Sequence, residues 1–341
     1  MNRWLFAVLC SVLLLCLACN EEGMAVSSDN FSVTFVLDGG SVADTLDYQG
    51  YQTRATAEAD ETAIAGACLY FANTNGVIVD AVSVNGNKVL RNFEPGTYKA
   101  YYVANCGLDD GSFSVEGTIN SHVCCLDPQA GPFPMFAVKT FSVPQDKICS
   151  ITAERLVSKV EIQKISIDFS QYPDYAAQTF TVDSIYLVNV AGETTLEDGT
   201  AFLPAESAWI NKRGYDSNVA DALLCDKVDK TVTASKPYTT AHYFYCFQNN
   251  AQTDSHSSVW CARYTRLVVA CTLGPRKTYY PIDITGPGNR LLRNCRYVIN
   301  ELVITDLGSE GPDDIITGSL PYHFSSTVQA WEGTHTVSES F

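Results

Sequence analysis

The sequence is poor in positive charge. It contains 22 lysines and arginines against 38 aspartates and glutamates, which gives a formal net charge of −16. The chain has no basic stripe that would neutralise a phosphate backbone, so its composition argues against nucleic-acid binding. An acidic surface of this kind favours solubility and says little about the fold.

The chain also has little of what catalysis requires. Neither G-x-S-x-G nor G-x-x-x-x-G-K-[ST] occurs, and no helical pattern follows Gly286-Pro287-Gly288 as a dinucleotide fingerprint would need. The histidines are scattered and form no H-E-x-x-H motif: His122, His242, His256, His323 and His335. We therefore expect no enzymatic activity, no catalytic residues and no cofactor.

Metal-ligand patterns are weak. The vicinal Cys124-Cys125 pair has His122 nearby, but no second pair at ligand spacing accompanies it. A group of acidic residues near the C-terminus matches no known calcium loop: Asp306, Glu310, Asp313 and Asp314. We expect no metal site, and we interpret the acidic group as a solvated turn.

Cysteine is frequent, with ten residues beyond Cys19. Most stand singly in apolar, strand-like runs, as Cys68, Cys246 and Cys271 do. A free cysteine in such a run behaves as a small hydrophobic residue. Buried free thiols are the favoured interpretation, and one or two disulfides are the alternative that an exported chain allows.

The N-terminus has the pattern of a secretory signal. Arg3 precedes an apolar run from Leu5 to Ala18, which is too short for a confident transmembrane span. Cys19 follows Ala18 directly, where lipoprotein signal peptidase requires a cysteine. Residues 1–18 are predicted to be a lipoprotein signal peptide, with acyl chains such as palmitate on Cys19 as a membrane anchor. The alternative is an ordinary secreted protein cleaved nearby.

Strand patterns dominate the rest of the chain. Phe31, Val33, Phe35 and Leu37 alternate with other residues at a period of two, which predicts a half-buried strand. Residues 41–61 contain few large apolar side chains and indicate a linker. Further strands are predicted within 64–105, 148–169, 180–190, 238–247, 266–304 and 322–331, with a loop over 106–134.

Helical patterns are few. Only Pro204–Ile210 and Ala220–Asp226 are expected to form a turn or two of helix. Strands without alternating helices favour an all-β fold of antiparallel sandwiches. A boundary near Leu156 divides the chain into two β-rich halves.

Four segments, taken in order, resemble the fimbrillin family, the two-domain pilins of Gram-negative gut and oral anaerobes. They are Thr53-Arg54-Ala55 with Asp60-Glu61 before AIAGACLYFANTNG, then YKAYYVANCG, ITAERLVSKVEI, and YYPIDI followed by LLRNCRYVINELVITDLGSEGP. Their order and spacing hold over nearly the whole mature chain. The resemblance implies two tandem transthyretin-like antiparallel β-sandwich domains after the lipoprotein signal peptide.

The resemblance also implies a mode of assembly. In that family an arginine-specific protease cuts the linker of an outer-membrane lipoprotein, and a C-terminal strand of another subunit fills the vacated groove. Glu21-Glu22 resembles the acidic signal that sends such lipoproteins to the cell surface. The expected function is therefore that of a structural subunit of cell-surface fimbriae that contributes to adhesion, with other fimbrial subunits as partners.

Carried onto this chain, the resemblance assigns a role to each segment. Residues 19–54 become a lipidated propeptide, cut between Arg54 and Ala55, with Phe31, Val33, Phe35 and Leu37 in the removable strand. Residues 55–156 form the N-terminal domain, completed by strand 31–37 in the precursor, and residues 157–341 form the C-terminal domain. The candidate donor segment, 322–341, places these side chains in the donor strand: Val328, Ala330, Trp331, Val337 and Phe341.

Three other interpretations stay open at this point. A fimbrial anchor would keep its lipid on Cys19 and would not be cut at Arg54. A tip adhesin would accept a strand but need not donate one. A permanently lipidated surface protein of the same fold would bind glycans or proteins. An envelope-bound hydrolase is the least favoured. The host or bacterial surface ligand is not indicated.

Overall fold

The computed structural model describes residues 30–38, 61, 63–126, 131–197, 202–212, 224–254, 260–286, 290–314, 319–330 and 336–337. These residues form many strands and few short helices, so the all-β prediction is confirmed. The strands are β1 Phe31–Asp38, β2 Ala67–Asn73, β3 Ile78–Ser83, β4 Lys88–Phe93, β5 Gly96–Ala104, β6 Val123–Cys125, β7 Met135–Val143, β8 Ile148–Thr152, β9 Glu154–Arg155, β10 Val157–Ile162, β11 Ile165–Ile167, β12 Phe180–Val188, β13 Val190–Ala191, β14 Glu193–Thr195, β15 Trp209–Ile210, β16 Cys225–Val232, β17 His242–Phe247, β18 Arg266–Leu273, β19 Arg276–Asp283, β20 Cys295–Ile304, β21 Tyr322–Ala330 and β22 Thr336–Val337. The helices are α1 Glu116–Asn120, α2 Pro173–Ala176 and a 3₁₀ turn at Glu206–Ala208.

Residues up to 155 build two facing sheets. One has the strand order β4-β1-β8 and the other β3-β2-β5-β7-β9. Four phenylalanines fill the space between them, with ring centroids 4.9–6.3 Å apart: Phe35, Phe71, Phe93 and Phe141. Tilted and edge-on aromatic pairs of this kind add stability beyond the area they bury.

Residues from 157 onward build a second pair of sheets. Their orders are β17-β10-β20-β21-β22, with β11 also on β20, and β16-β12-β18-β19. Their shared core includes Val160, Phe180, Phe244, Leu267 and Tyr280, all of them fully buried. The alternating apolar residues of these strands explain why each sheet turns one face toward this core.

The two pairs of sheets repeat one topology. The order β4-β1-β8 corresponds to β17-β10-β20, and β3-β2-β5-β7 corresponds to β16-β12-β18-β19. In both, the first strand lies between an antiparallel and a parallel neighbour. Most strand pairs are antiparallel, as expected, but β1–β8, β10–β20 and β11–β20 are parallel, because the later strand returns beside the earlier one in the same direction.

A third apolar cluster joins the two halves. Tyr70, Tyr101 and Phe136 pack there with Trp209 and Phe247. Strand β6 of the first half also pairs with β14 of the second. The loop predicted over 106–134 consequently contains α1 and β6, because this stretch has a partner strand that is remote in the sequence.

Two local expectations have different outcomes. The predicted turn in Pro204–Ile210 is present as the 3₁₀ turn. The helix expected over Ala220–Asp226 is wrong at its C-terminal end, because Cys225 begins strand β16, which pairs with β12. Residues 213–223 lie outside the described residues.

Candidate functional site, the seat of the first strand

Strand β1 lies between β4 and β8, and we call the groove that holds it the β1 seat. Phe35 is opposite Val89 of β4 and Cys149 of β8. The backbone N–H of Thr34 donates to the Lys147 carbonyl at 2.9 Å. Within the described part of the chain, β4 and β8 pair with no strand other than β1. Removal of β1 would thus leave an unpaired backbone edge on each wall of the seat.

The core-facing side of β1 is tightly packed. Val33 and Phe35 are fully buried, Leu37 is 7% exposed, and Phe31 packs against the same cluster. The Phe35 ring lies 4.9 Å from the Phe71 ring and 5.1 Å from the Phe141 ring. Burial of three such side chains contributes roughly 5–9 kcal/mol.

That contribution is comparable to the whole stability of a typical domain, about 5–15 kcal/mol. An empty seat would therefore be a high-energy state.

A cavity of about 500 Å³ opens beside Leu37, the last core-facing residue of β1. Its lining includes Gly66, Ser83, Asn85 and Tyr102. The cavity thus borders the C-terminal end of β1, between Leu37 and the residues around β2 and β3.

The segment that leaves β1 leads to the expected processing site. Cys19, Arg54 and Ala55 lie outside the described residues. The other two arginines considered from the sequence are in strands: Arg91 in β4 and Arg155, 3% exposed, in β9.

Glu61, the next described residue after β1, is held by polar contacts. Its carboxylate lies 2.8 Å from Lys159 Nζ and accepts a hydrogen bond from Tyr245 Oη at 3.0 Å. Its carbonyl accepts a hydrogen bond from Arg155 Nε at 2.7 Å. Lys159 is only 1% exposed and lies over the Tyr243 ring. We call this group the Glu61 clamp. It ties the start of the first half to β9, β10 and β17.

The candidate donor segment begins inside the second core. Strand β21 pairs with β20 along its whole length, and its Tyr322 and Val328 pack on that core. Val337 lies in β22, which pairs with β21 through two residues only. Ala330 is the last residue of β21, while Trp331 and Phe341 lie outside the described residues.

Local sequence patterns did not indicate one polar cluster, which Asp226, Tyr238 and His242 form. His242 Nδ1 lies 2.6 Å from Asp226 Oδ2, and His242 Nε2 lies 2.7 Å from Tyr238 Oη. The histidine is 1% exposed and the aspartate 6%, so a substrate has no access to them. Burial raises the pKa of Tyr238, which keeps its hydroxyl protonated at neutral pH. This is an internal hydrogen-bonded chain that secures β16 to β17.

The solvated acidic turn is wrong for Asp313. This residue is 5% exposed and pairs with both Arg263 and Arg266, the latter at 2.7 Å. Asn189 Nδ2 donates to it at 2.8 Å. Buried guanidinium groups require such a counter-charge, and the partners are too far away in the sequence for spacing to indicate them.

Neither a metal site nor a spanning helix is found in the described ranges. No group of three or more His, Cys, Asp or Glu side chains there could hold a metal ion. No helix in the same ranges has the length and apolar character needed to cross a membrane.

Cys68, Cys246 and Cys271 carry free thiols and are buried, as expected. Burial raises the pKa of Cys68, and it raises the pKa of Cys246 to about 12. These thiols therefore stay protonated and unreactive at neutral pH.

Comparison with known proteins gives a structural likeness. No protein-family model matches the sequence. No curated protein matches it either.

Solved structures do match. A proposed cell adhesion protein from Bacteroides eggerthii superimposes with a TM-score of 0.60 at 15% identity, over 89% of this chain and 96% of that one. A fimbrilin from Porphyromonas gingivalis gives 0.58 at 14% identity, over 89% and 98%. A proposed cell adhesion protein from Parabacteroides distasonis gives 0.53 at 14% identity, over 89% and 97%. The chain thus has the fold of a fimbrilin and of these proposed adhesion proteins along nearly its whole length.

Proposed function

We propose that this protein is a member of the fimbrillin family and a structural subunit of cell-surface fimbriae, assembled by protease-triggered strand exchange. The observation that carries the proposal is the position of β1. It is the middle strand of its sheet, yet it precedes a long connecting segment that contains Arg54. A single cut in that segment would turn an integral strand into an exchangeable one.

The maturation scheme has three stages. Residues 1–18 direct export, Cys19 carries the lipid at the outer membrane, and an arginine-specific protease then cuts between Arg54 and Ala55. Residues 19–54 leave with β1, and the domains 55–156 and 157–341 remain. The Glu61 clamp supports this scheme, because it holds the chain six residues beyond the new N-terminus.

The exchange needs an incoming strand with the same pattern. Strand addition gains main-chain hydrogen bonds along both edges and places alternate side chains in the pockets of Val33, Phe35 and Leu37. The strand is supplied by the C-terminal segment of another subunit. The cavity beside Leu37 is consistent with an incoming strand that reaches farther than β1.

The structure favours a narrower donor than residues 322–341. Strand β21 is fully paired with β20 and shares the second core, so its release would disrupt that half. Of the residues beyond Ala330, the structure describes only Thr336 and Val337, and their pairing with β21 involves two residues. We therefore assign the donor strand to Trp331, Val337 and Phe341, whereas Val328 and Ala330 remain paired with β20.

The remaining features fit a non-enzymatic surface role. Asp226 and His242 are buried and Tyr238 is partly exposed, so only the tyrosine of this hydrogen-bonded chain meets solvent, and the acidic composition suits an exposed filament. The fold likeness to a fimbrilin and to proposed adhesion proteins supports adhesion as the outcome of assembly. Other subunits, the protease and the outer membrane are the expected partners.

Limited digestion of the purified full chain with an arginine-specific protease tests this function. We expect one early cut after Arg54, release of the β1 fragment and growth of multimers on size-exclusion chromatography. Arg54→Ala should stay intact and monomeric, whereas Arg91→Ala should be cut normally. A cut chain that stays monomeric and keeps its β1 fragment would contradict strand exchange.

A further inference from the structure

Two thiols meet at the junction between the halves. Cys106 follows β5, Cys124 is the middle residue of β6, and their Sγ atoms lie 3.5 Å apart. Cys124 is 7% exposed within the third apolar cluster, and Cys106 packs against the same cluster. A disulfide requires the two sulfurs to approach to about 2.05 Å, a small further movement.

We propose that Cys106 and Cys124 are a disulfide site and that they are joined once the chain is exported. This inference rests on the export in the proposed function, because only compartments outside the cytosol sustain such bonds. The oxidant is the disulfide of an envelope dithiol oxidoreductase.

The two thiols differ in pKa, which matters for thiol–disulfide exchange with the oxidant. The hydrogen bond between them lowers the pKa of Cys124, and the nearby Arg293 guanidinium lowers it further. The same hydrogen bond and burial raise the pKa of Cys106. The disulfide formed is the same whichever thiol attacks first, and the route through Cys124 is the one that uses the thiol with the lowered pKa.

The electrons balance in two steps. The Cys124 thiolate attacks one sulfur of the oxidant's disulfide and displaces the other as a thiolate, which leaves a mixed disulfide. Cys106 then loses its proton and attacks Cys124 Sγ, which expels the remaining oxidoreductase thiolate. The oxidant takes up two electrons as a dithiol, and the two cysteine protons pass to it or to water.

The bond would lie where the halves are joined. Cys124 is opposite Thr194 in the β6–β14 pairing. Arg293 holds the same region, since its Nη1 donates to the Leu196 carbonyl at 2.8 Å. A bond from Cys106 to Cys124 links the end of β5 to the strand that reaches the second half. Neither cysteine lies in β1, so the bond remains when β1 is exchanged.

Thiol mapping of the full chain from acid-quenched producing cells tests the site. After alkylation without reduction, we expect Cys106 and Cys124 to be unmodified and to appear in one cross-linked peptide pair. The exposed neighbour Cys125 should be alkylated. Cys106→Ser should make Cys124 alkylatable, and the matched Cys125→Ser should leave the cross-link intact. Alkylation of both thiols in the wild-type chain, or a cross-link from Cys106 to Cys125, would overturn the proposal.

A second experiment uses only the wild-type chain. Purified reduced chain is incubated with oxidised glutathione, and we expect the same pair to close and the melting temperature to rise by about 5 °C. Failure to close would refute the geometry. If the disulfide forms with oxidised glutathione but both thiols are free in the producing cells, this result would contradict export of the chain. Polymers that form from protein with both thiols free in cells would overturn the disulfide and leave strand exchange standing.

Discussion

Phe35 is the residue around which the β1 seat is organised. Its ring contacts the rings of Phe71, Phe93 and Phe141, which come from both facing sheets. Thr34 points away from this core and is only partly covered. The side chains of β1 thus differ sharply in how much they stabilise the strand in its seat.

Phe35→Ala should lower the free energy of unfolding of the uncut chain by about 3–5 kcal/mol, because it leaves a cavity inside the aromatic cluster. Urea unfolding followed by circular dichroism measures this. The matched Thr34→Ala should cost less than about 1 kcal/mol. Similar losses for the two variants would show that β1 is not held by its core-facing side.

A second prediction at the scale of residues concerns the Glu61 clamp. Glu61→Gln removes the negative charge 2.8 Å from the buried Lys159 Nζ and should destabilise the chain by about 2 kcal/mol. Thermal unfolding of the full chain measures it. Glu206→Gln is the control, since Glu206 pairs with Lys212 at the surface and should cost at most about 1 kcal/mol. An equal effect of both substitutions would mean that the clamp contributes no more than a surface pair.

At the scale of elements, β1 and the C-terminal segment have opposite character. The former is a full-length strand with two partners, and β22 is a two-residue strand with one. A removable strand must be replaced, while a donor must be cheap to release. These properties agree with the roles proposed for β1 and for the C-terminal segment.

Deletion of residues 332–341 should leave the monomer folded, because the described part of this segment, β22, has a two-residue pairing with β21 that is worth about 1 kcal/mol. The same deletion should abolish multimers after cleavage at Arg54. Circular dichroism and size-exclusion chromatography measure the two effects. The control is Thr327→Pro inside β21, which should impair folding itself, since Thr327 lies opposite Val298 of β20. Polymers formed by the truncated chain would remove the donor role from this segment.

Local sequence patterns predict some of these elements and miss others for physical reasons. The period of two in Phe31–Leu37 indicates β1 because its core face is continuous. Strand β7 was missed because three successive residues in its middle, 138–140, are exposed. Strand β16 was missed because its inward residues include Asp226, which is buried only through its pairing with His242.

Local sequence patterns likewise predict one part of the candidate site and miss the other. The inward residues of β1 follow from local alternation, whereas its parallel partner β8 lies more than a hundred residues away and has no local signature. The Glu61 clamp likewise depends on Lys159 and Tyr245, whose proximity arises only from tertiary packing. Local patterns could therefore identify the strand but not the walls of its seat.

At the scale of the whole molecule, one strand topology occurs twice with one difference. Strand β10 takes the place in the second half that β1 takes in the first, between an antiparallel and a parallel neighbour. Strand β10 is continuous with β9 and carries the clamp residue Lys159, whereas β1 is separated from β2 by the segment with Arg54. The segment with Arg54 thus follows the first strand of the first half and has no counterpart after β10, while the third apolar cluster joins the two halves.

This asymmetry is the central claim, and the N-terminus of the assembled protein tests it most directly. Protein sheared from intact producing cells is analysed by intact-mass spectrometry and N-terminal peptide mapping. We predict a chain that begins at Ala55, without residues 19–54 and without lipid. An acylated Cys19 on every assembled molecule would contradict the account and would make the chain a permanently anchored lipoprotein.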